Sequence, residues 1–328
     1  MKRFAVWLVL ACAGLPAQTK KVVIADASPE RVRELQSVSP QVRIVSVPRA
    51  AVMSEIADAD GFIGEIRPEE VKAGKKLKWV QCPSAGVERI LLGPKGDALR
   101  ASNIVLTNNR IVQGPEIADH AFAMLLCMTR RLDLFIGHPL VTRTDPYPSV
   151  ELPGKTAVVI GVGGIGVQIA VRAAAFGMKV IGVDPEDKPY MPFLARTVKA
   201  DRLNDVLPEA DVVFVSAPHT KESHKMVGAA QFDLMKRGAY FIVVSRGGLY
   251  DTNALVKAID SRKLAGAGLD VTDPEPLPED HPLRKFSNVI ITPHVAGMSD
   301  HINERMTGTF KENLRRFANG EPLVNVVD

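Results

Sequence analysis

The fold of this chain is decided by two neighbouring stretches, Val158-Val159-Ile160-Gly161-Val162-Gly163-Gly164-Ile165-Gly166 and Val180-Ile181-Gly182-Val183-Asp184-Pro185. An apolar strand leads into a glycine-rich turn, a helix with apolar residues at helical spacing follows, and a second apolar strand ends at a carboxylate. Asp184 comes 23 positions after Gly161, close to the spacing of about 20 that is typical of dinucleotide-binding units. This order predicts the first half of a dinucleotide-binding domain.

Each part of this fingerprint has a predicted role. Gly161 would permit the tight turn, Gly163 would let the backbone approach a pyrophosphate, and Gly166 would let the helix pack closely on the strand. The pyrophosphate would lie on the free N–H groups of the helix N-terminus. Asp184 would accept hydrogen bonds from the adenosine ribose hydroxyls and repel a 2′-phosphate, so we expect NAD rather than NADP. The predicted cofactor residues here are Gly161, Gly163, Gly164, Ile165, Gly166 and Asp184.

Length and charge narrow the remaining possibilities. A chain of 328 residues has room for two domains of ordinary size. The charge balance of 41 basic and 37 acidic residues gives +4, and no basic run with interleaved aromatic residues occurs. We therefore expect no nucleic-acid partner. The cysteines and histidines do not show the spacing of a metal site, so we also expect no metal.

The N-terminus has the pattern of an export signal. Lys2 and Arg3 precede an apolar run that ends at Ala13, and Ala17 offers a cleavage point. Residues 1–17 are therefore predicted to be a signal peptide, which implies a secreted or periplasmic protein. The sequence around Cys12 resembles a lipoprotein box, so a lipoprotein stays open, and a cytoplasmic location follows if the signal is misread. No later segment is apolar enough to span a membrane.

Short apolar strands alternate with helices along the rest of the chain, which predicts an α/β fold with parallel sheets. The first unit is predicted to have strands at 22–27, 42–47, 61–64, 79–82 and 104–107 and helices at 29–37 and 68–73. A long, mostly apolar helix at 115–134 would be buried between domains. The second unit is predicted to have six strands, at 157–161, 179–183, 212–216, 240–245, 266–270 and 289–292.

We therefore predict two Rossmann-like domains. A doubly wound, parallel-sheet NAD-binding domain would comprise residues 115–297, with a Pro-, Thr- and Asp-rich connector at 138–153. A smaller, discontinuous, flavodoxin-like substrate domain would comprise 20–114 and 298–328. Its second segment contains the last predicted helix, 301–319, and a short tail, 323–327.

Three polar side chains follow strands of the second unit, where ligands bind in open α/β sheets. Arg246, Glu275 and His294 could together reduce a 2-oxo acid. Arginine can pair with a substrate carboxylate, histidine can donate a proton to the keto oxygen, and a carboxylate beside histidine fixes its tautomer. Taken singly, each residue has an ordinary alternative: a surface ion pair, a loop carboxylate or a structural histidine. Their joint placement favours chemistry.

The chain resembles the D-isomer-specific 2-hydroxyacid dehydrogenase family. The resemblance extends over nearly everything after the signal and is strongest from 151 to 297. The matching segments are Glu151-Leu152-Pro153-Gly154-Lys155-Thr156, the glycine fingerprint, Met235-Lys236-Arg237-Gly238-Ala239, Ser245-Arg246-Gly247-Gly248-Leu249-Tyr250-Asp251, Lys263-Leu264-Ala265-Gly266-Ala267-Gly268-Leu269-Asp270-Val271, Asp273-Pro274-Glu275-Pro276-Leu277 and Asn288-Val289-Ile290-Ile291-Thr292-Pro293-His294.

The resemblance implies roles for further residues. Arg246, Glu275 and His294 would be the catalytic residues, and Arg246 and His294 would contact both substrate and cofactor. The residues it implies for the cofactor are Pro218, Thr220, Ser245 and Asp270, with Asp270 on the nicotinamide carboxamide. Ala85 and Gly86, in the loop 84–87, would bind the substrate carboxylate through backbone N–H groups. A homodimer is also implied.

The predicted function is the NAD-dependent reduction of a small 2-oxo acid to the D-2-hydroxy acid, and the reverse. Glyoxylate and hydroxypyruvate are the first candidates because they are small and polar. Glu65 stands where relatives acting on 3-phosphoglycerate tend to have an arginine, which argues against a phosphorylated substrate, although Arg67 is close by. The alternatives are a non-catalytic NAD-binding regulator, which should lack the three catalytic residues, and a formate dehydrogenase, which should have glutamine in place of Glu275.

Overall fold

A computed structural model describes residues 19–136 and 149–327 of the chain. The predicted signal peptide, with Cys12, and most of the predicted connector lie outside the described residues. The chain divides into two compact units. The first contains the described residues up to Asn108 and those from Thr307 onward, and the second is Asn109–Met306. The two points of division lie within ten residues of the domain boundaries set out above.

The first unit is built on a five-stranded parallel sheet with the order β2-β1-β3-β4-β5, which is the flavodoxin-like order. Its strands are β1 (Lys20–Ala25), β2 (Val42–Val47), β3 (Gly61–Ile63), β4 (Trp79–Gln81) and β5 (Val105–Thr107). Its helices before Asn108 are α1 (Pro29–Gln36), α2 (Val52–Glu55), α3 (Pro68–Ala73), α4 (Glu88–Leu91) and α5 (Asp97–Arg100). Parallel strands buried on both faces require helices on both sides, and the alternation of elements supplies them.

The second unit is built on a seven-stranded parallel sheet with the order β12-β11-β10-β9-β6-β7-β8. Its strands are β6 (Thr156–Ile160), β7 (Lys179–Val183), β8 (Arg196–Val198), β9 (Val212–Val215), β10 (Ala239–Val243), β11 (Leu264–Leu269) and β12 (Val289–Ile291). Its helices are α6 (Gly114–Thr129), α7 (Gly164–Ala175), α8 (Leu203–Val206), α9 (Ala229–Leu234) and α10 (Thr252–Asp260). The strand order reverses at β6, which has β7 on one side and β9 on the other. Ligands bind at the carboxyl ends of strands at such a point.

Two predictions about the second unit were wrong in detail. The sheet has seven strands rather than six because β8 was missed; it is only three residues long, lies at the sheet edge and has two exposed side chains, so it carries no apolar signal. The long helix ends at Thr129 rather than at residue 134. Arg131 adopts a left-handed conformation with φ 56°, and a 3-10 turn at Leu132–Leu134 follows.

Helix α6 is buried, and within the second unit it packs on α7 and on strands β10 and β11. The ring of Phe122 stacks on that of Phe214, which belongs to β9, with 5.3 Å between centroids. Glycines in β11 make room for the helix: a Cβ added at Gly268 would lie 2.9 Å from the Cβ of Met124. The close contact with β11 therefore fixes the position of α6 on this face of the sheet.

The last helix, α11 (Ile302–Asn319), passes from the second unit into the first at Thr307. In the first unit Phe317 packs on the buried Trp79, with ring centroids 5.0 Å apart. The chain then pairs with the edge of the first sheet, where the Val327 N–H donates to the Leu106 carbonyl at 2.9 Å. Over the described ranges 19–136 and 149–327, none of the helices combines the length and apolar character needed to cross a membrane.

Candidate active site

The glycine turn joins β6 to α7 and has the geometry that a phosphate cradle requires. Gly161 has φ 88°, and a Cβ there would lie 2.6 Å from the backbone of Ala217. A Cβ on Gly166 would collide with the carbonyl oxygen of Gly161. A Cβ on Gly163 would meet nothing within 4 Å, so its backbone faces open space beside the first turn of a 12-residue helix. These features fit a dinucleotide pyrophosphate at the N-terminus of α7.

Asp184 follows β7 and is buried, with 6% of its surface exposed. Its Oδ2 accepts a hydrogen bond from the Val162 N–H at 2.8 Å, which ties it to the glycine turn. Its Oδ1 lies 3.1 Å from the Lys188 Nζ. Burial lowers the pKa of Lys188, but hydrogen bonds to Glu186 and Asp184 outweigh it and leave that pKa raised. The carboxylate at the predicted ribose position therefore has a permanent cationic neighbour.

The second carboxylate at the carboxyl end of a strand, Asp270, follows β11 and is 1% exposed. Its Oδ1 accepts from the Thr292 hydroxyl at 2.6 Å and from the Val295 N–H at 2.9 Å. Its Oδ2 accepts from the Ala296 N–H at 3.0 Å. All three donors belong to residues 292–297, which follow β12 and which we call the histidine loop because they include His294.

His294 stands in an unusual conformation at the centre of the histidine loop. Its φ is 56°, the left-handed region that non-glycine residues rarely adopt. Its N–H donates to the Asp270 carbonyl at 2.9 Å, and its Nδ1 lies 2.7 Å from the Glu275 Oε1. Because a carboxylate accepts, the Nδ1 carries the proton of this contact and the Nε2 is left for a reacting group. Backbone strain at a residue with such a partner is typical of functional sites.

Arg246 follows β10, the strand next to β11 in the sheet. It adopts an extended conformation before the 3-10 turn Gly247–Leu249, and its Nη1 donates to the Ser245 carbonyl at 2.6 Å. Ser245 is buried, and its hydroxyl donates to the Val215 carbonyl at 3.3 Å. Strands β10, β11 and β12 are neighbours in the sheet, so Arg246, Asp270 and His294 lie at three successive carboxyl ends.

The loop after β9 contains Pro218 and Thr220. The Ser223 hydroxyl donates to the Pro218 carbonyl at 2.7 Å and accepts from the Thr220 N–H at 2.8 Å, which closes the loop on itself. His219 lies between Pro218 and Thr220 in the sequence. Its ring packs so closely on Gly248 that a Cβ at that glycine would collide with it. The loop that contains these predicted cofactor residues therefore lies beside the turn that follows Arg246.

In the first unit, Ala85 and Gly86 lie in the loop after β4. The Asn108 Nδ2 donates to the Ala85 carbonyl at 2.7 Å, and the Ser84 hydroxyl donates to the Gly86 carbonyl at 2.6 Å. Both carbonyls are thus turned toward protein donors. Cys82 stands beneath the loop, and burial raises the pKa of its thiol, so it is a weakly reactive group.

A cationic cavity of about 430 Å³ opens elsewhere in the first unit. Four cationic side chains and two acidic ones line it: Arg49, Arg67, Arg89 and Lys95 with Glu65 and Glu69. Arg49 is already paired with the buried carboxylate of Glu70 at 2.8 Å. The cavity therefore keeps only a small excess of positive charge, and Glu65, the argument above against a phosphorylated substrate, lies in its lining.

Comparison with known proteins agrees with this geometry. The model of the NAD-binding domain of the D-isomer specific 2-hydroxyacid dehydrogenases matches residues 122–296. The chain belongs to this family. It is 32% identical to a glyoxylate reductase of Thermococcus litoralis over 299 residues, with 86% of this chain and 87% of that protein covered.

Solved structures support the same assignment. The TT0316 protein of Thermus thermophilus matches with a TM-score of 0.75 and 33% identity, covering 94% of this chain and all of that one. The NAD-complexed D-isomer specific 2-hydroxyacid dehydrogenase of Lactobacillus delbrueckii ssp. bulgaricus matches with a TM-score of 0.76 and 26% identity, covering 94% and 100%. The chain is thus an oxidoreductase with a nicotinamide cofactor, and the predicted family, fold class and Rossmann sheet are confirmed.

Sequence reasoning missed three residues of the candidate site. Lys188 lies four positions after Asp184, a spacing that could have suggested the ion pair. Thr292 follows β12 and could have been noted as one more polar residue after a strand. His120 lies in the apolar helix α6, and no spacing connects it to Thr292, whose hydroxyl is 2.9 Å from its Nε2.

Proposed function

We propose that this protein reduces a small 2-oxo acid to the D-2-hydroxy acid, and catalyses the reverse reaction, with NAD as its cofactor. The observation that carries the proposal is the 2.7 Å contact between the His294 Nδ1 and the Glu275 Oε1. That contact holds the imidazole with Nδ1–H toward the carboxylate. It leaves Nε2 as the atom that gives a proton to the substrate or takes one from it.

The steps assigned to the protein are binding and proton transfer. When bound, a reduced nicotinamide supplies the hydride that the keto carbon of the substrate accepts. The Arg246 guanidinium pairs with the substrate carboxylate and orients the keto group. As the carbonyl oxygen gains negative charge, the His294 Nε2–H donates its proton to it, and Glu275 stabilises the imidazolium from which that proton comes. In oxidation, neutral His294 takes the hydroxyl proton.

For the cofactor we propose Gly161, Gly163, Gly164, Ile165 and Gly166 around the pyrophosphate, and Asp184 at the ribose. Pro218, Thr220, Ser245, Arg246, Asp270 and His294 would complete the site. For the substrate carboxylate we propose Arg246 and His294 together with the backbone N–H groups of Ala85 and Gly86. Substitution of a cofactor residue should raise the Kd of NADH, and substitution of a substrate residue should raise the KM of the 2-oxo acid.

The test uses the purified chain, NADH and a panel of acids that contains glyoxylate, hydroxypyruvate, pyruvate and 3-phosphohydroxypyruvate. The last compound is included because of the cationic cavity. His294→Ala should lower kcat by about 100-fold or more and raise the Kd of NADH far less, because the glycine turn and Asp184 supply the other proposed cofactor contacts. His301→Ala is the matched control, because His301 is exposed and its ring pairs with the exposed Asp300 and Glu304. Chiral chromatography of the product decides between the D and L isomers.

NADH binding without oxidation by any acid of the panel would contradict the reductase and favour the NAD-binding regulator. An L product, or equal activity in the His294→Ala protein, would contradict the assigned proton transfer. Activity on 3-phosphohydroxypyruvate alone would place the substrate among phosphorylated acids and overturn glyoxylate and hydroxypyruvate as candidates.

The choice of NAD rests on the buried carboxylate of Asp184, which disfavours a 2′-phosphate. We expect calorimetry to give an NADH affinity about 10-fold or more above that for NADPH. Lys188 reduces this difference because its ammonium lies beside the carboxylate, so Lys188→Gln should weaken NADPH binding further and change NADH binding little. Lys179→Gln is the control, since Lys179 pairs with Glu209 and lies at the start of β7, the end of the strand opposite Asp184. Tighter binding of NADPH than of NADH would contradict the choice.

Export and dimerisation stay predictions. Cell fractionation of the full chain and of a protein lacking residues 1–17 tests the first, because only the full chain should leave the cytoplasm. Light scattering on the purified protein tests the second, and a monomer at micromolar concentration would contradict it.

A further inference from the structure

The histidine loop is held at both ends by side chains of helix α6 and of the residue before it. The Gln113 Nε2 donates to the Gly297 carbonyl at 3.3 Å, and the His120 Nε2 lies 2.9 Å from the Thr292 hydroxyl. Helix α6 is the first helix after the chain enters the second unit at Asn109. Its remaining surface is mostly apolar and buried in the sheet. His120 is therefore a polar residue of a mostly apolar helix, and it contacts Thr292, the first residue of the histidine loop.

The direction of each hydrogen bond in this cluster can be deduced. The two oxygens of Asp270 accept the backbone N–H groups of Val295 and Ala296. An aspartate carboxylate has no hydrogen to donate and only accepts hydrogen bonds. The Thr292 hydroxyl, 2.6 Å from the Asp270 Oδ1, must therefore donate its single proton there.

The same hydroxyl contacts His120, and its proton is already committed. It therefore accepts from His120, and the His120 Nε2 must carry a hydrogen. His120 and Asp270 do not bond directly, because the Nε2 and Oδ1 are 3.7 Å apart. The hydroxyl of Thr292 connects them, in a relay that runs from His120 through Thr292 to Asp270.

We propose that His120 is a positioning residue for the reaction. Its Nε2–H orients the Thr292 hydroxyl toward Asp270, and this relay keeps the histidine loop in the strained conformation that presents His294. His120 touches neither His294 nor Glu275 among the contacts of the described chain. The inference rests on the proposed function, because it concerns the residue that we assign to proton transfer.

Loss of the relay should lower kcat more than it weakens binding. A displacement of about 1 Å in a catalytic group can cost about 100-fold in rate, so we expect a 10- to 100-fold fall, on the order of what such displacements cause. The glycine turn and Asp184 are held by other contacts. The Kd of NADH and the KM of the 2-oxo acid should therefore change less than kcat does, even though Asp270 and His294 are also proposed cofactor contacts.

The experiment compares two pairs of variants. His120→Leu removes the N–H donor, whereas His120→Gln keeps an N–H at the reach of the imidazole Nε2. Thr292→Val removes the hydroxyl, whereas Thr292→Ser keeps it. We expect His120→Leu and Thr292→Val to lose kcat as stated, and the glutamine and serine proteins to recover most of it. A packing role alone would not distinguish leucine from glutamine in this way.

A second measurement does not depend on turnover. The ¹⁵N chemical shifts of the His120 imidazole in the wild-type protein should show a protonated Nε2, and this preference for one tautomer should disappear in Thr292→Val. If the wild-type protein oxidises no NADH but shows this tautomer, the proposed reaction fails and the relay stands. A protonated Nδ1 with an unprotonated Nε2 would overturn the relay. So would kcat within about 2-fold of wild type in His120→Leu, or equal losses in the leucine and glutamine proteins.

Discussion

Replacement of Asp270 by asparagine should destabilise the protein even without any ligand. The carboxylate accepts three hydrogen bonds at 2.6, 2.9 and 3.0 Å and is 1% exposed. Asparagine keeps one carbonyl oxygen, and the arrangement that preserves most bonds places that oxygen toward Thr292 and Val295. The NH₂ group must then face the Ala296 N–H, so that two donors oppose each other in a buried site.

The cost follows from these contacts. One bond to a charged acceptor is lost, the two remaining bonds become neutral, and a buried donor is left without a partner. A hydrogen bond to a charged group contributes about 1.5–3 kcal/mol, and an unsatisfied buried donor costs about 1–3 kcal/mol. Because the loop can relax, we expect the free energy of unfolding to fall by about 2–4 kcal/mol.

The assay is urea unfolding followed by far-UV circular dichroism, which reports both units. In the protein lacking residues 1–17, and therefore Trp7, the fluorescence of Trp79 is a probe of the first unit alone. Asp251→Asn is the matched control. Asp251 caps α10 by accepting from the Ala254 N–H at 2.9 Å, and asparagine caps helices as well as aspartate does. The reasoning would be refuted if Asp270→Asn lowered the free energy of unfolding by less than about 0.5 kcal/mol, or by no more than Asp251→Asn does.

Two further predictions concern the glycine turn and the last helix. Gly166→Ala should lower the melting temperature because its Cβ would strike a backbone carbonyl, whereas Gly163→Ala should melt like the wild type and yet bind NADH more weakly; equal melting of both would contradict this. Hydrogen bonds from Arg315 and Arg316 hold the pKa of Glu312 at about 2, below its ordinary 4.5. The contribution of Glu312 to the free energy of unfolding is therefore fully present above pH 4.5 and is lost as the pH falls through about 2. Glu312→Gln should cost at most about 1 kcal/mol at pH 7, since the pair is largely exposed, and thermal scans should show this difference shrinking toward pH 2. A difference that grows on acidification would refute it.

Local patterns predicted the parts of the fold that local physics determines. The glycine turn could be foreseen because positive φ at Gly161 and the close approach at Gly166 both require residues without a side chain. Strands β2 and β7 were predicted with their observed ends, because apolar runs bounded by polar residues mark buried strands. The contact between His294 and Glu275 was also foreseen, since both follow neighbouring strands and the residues are chemically complementary.

The contacts that complete the site could not be predicted in this way. His120 and Thr292 are 172 positions apart, and nothing in either neighbourhood indicates the other. The end of α6 depends on the left-handed conformation of Arg131, which arginine has no intrinsic tendency to adopt. Such features follow from tertiary packing, which overrides local propensity.

Asp184 and Asp270 share a double role that affects how any experiment on them is interpreted. Each is a buried carboxylate at the carboxyl end of a strand, and each accepts backbone N–H groups of a neighbouring turn, from Val162 in one case and from the histidine loop in the other. A substitution at either one therefore removes a predicted cofactor contact and loosens the turn beside it. Loss of NADH binding in such a variant cannot be assigned to the cofactor contact alone. Lys188 offers a cleaner test of cofactor choice, because its ammonium pairs with Asp184 and Glu186, which both lie outside the glycine turn.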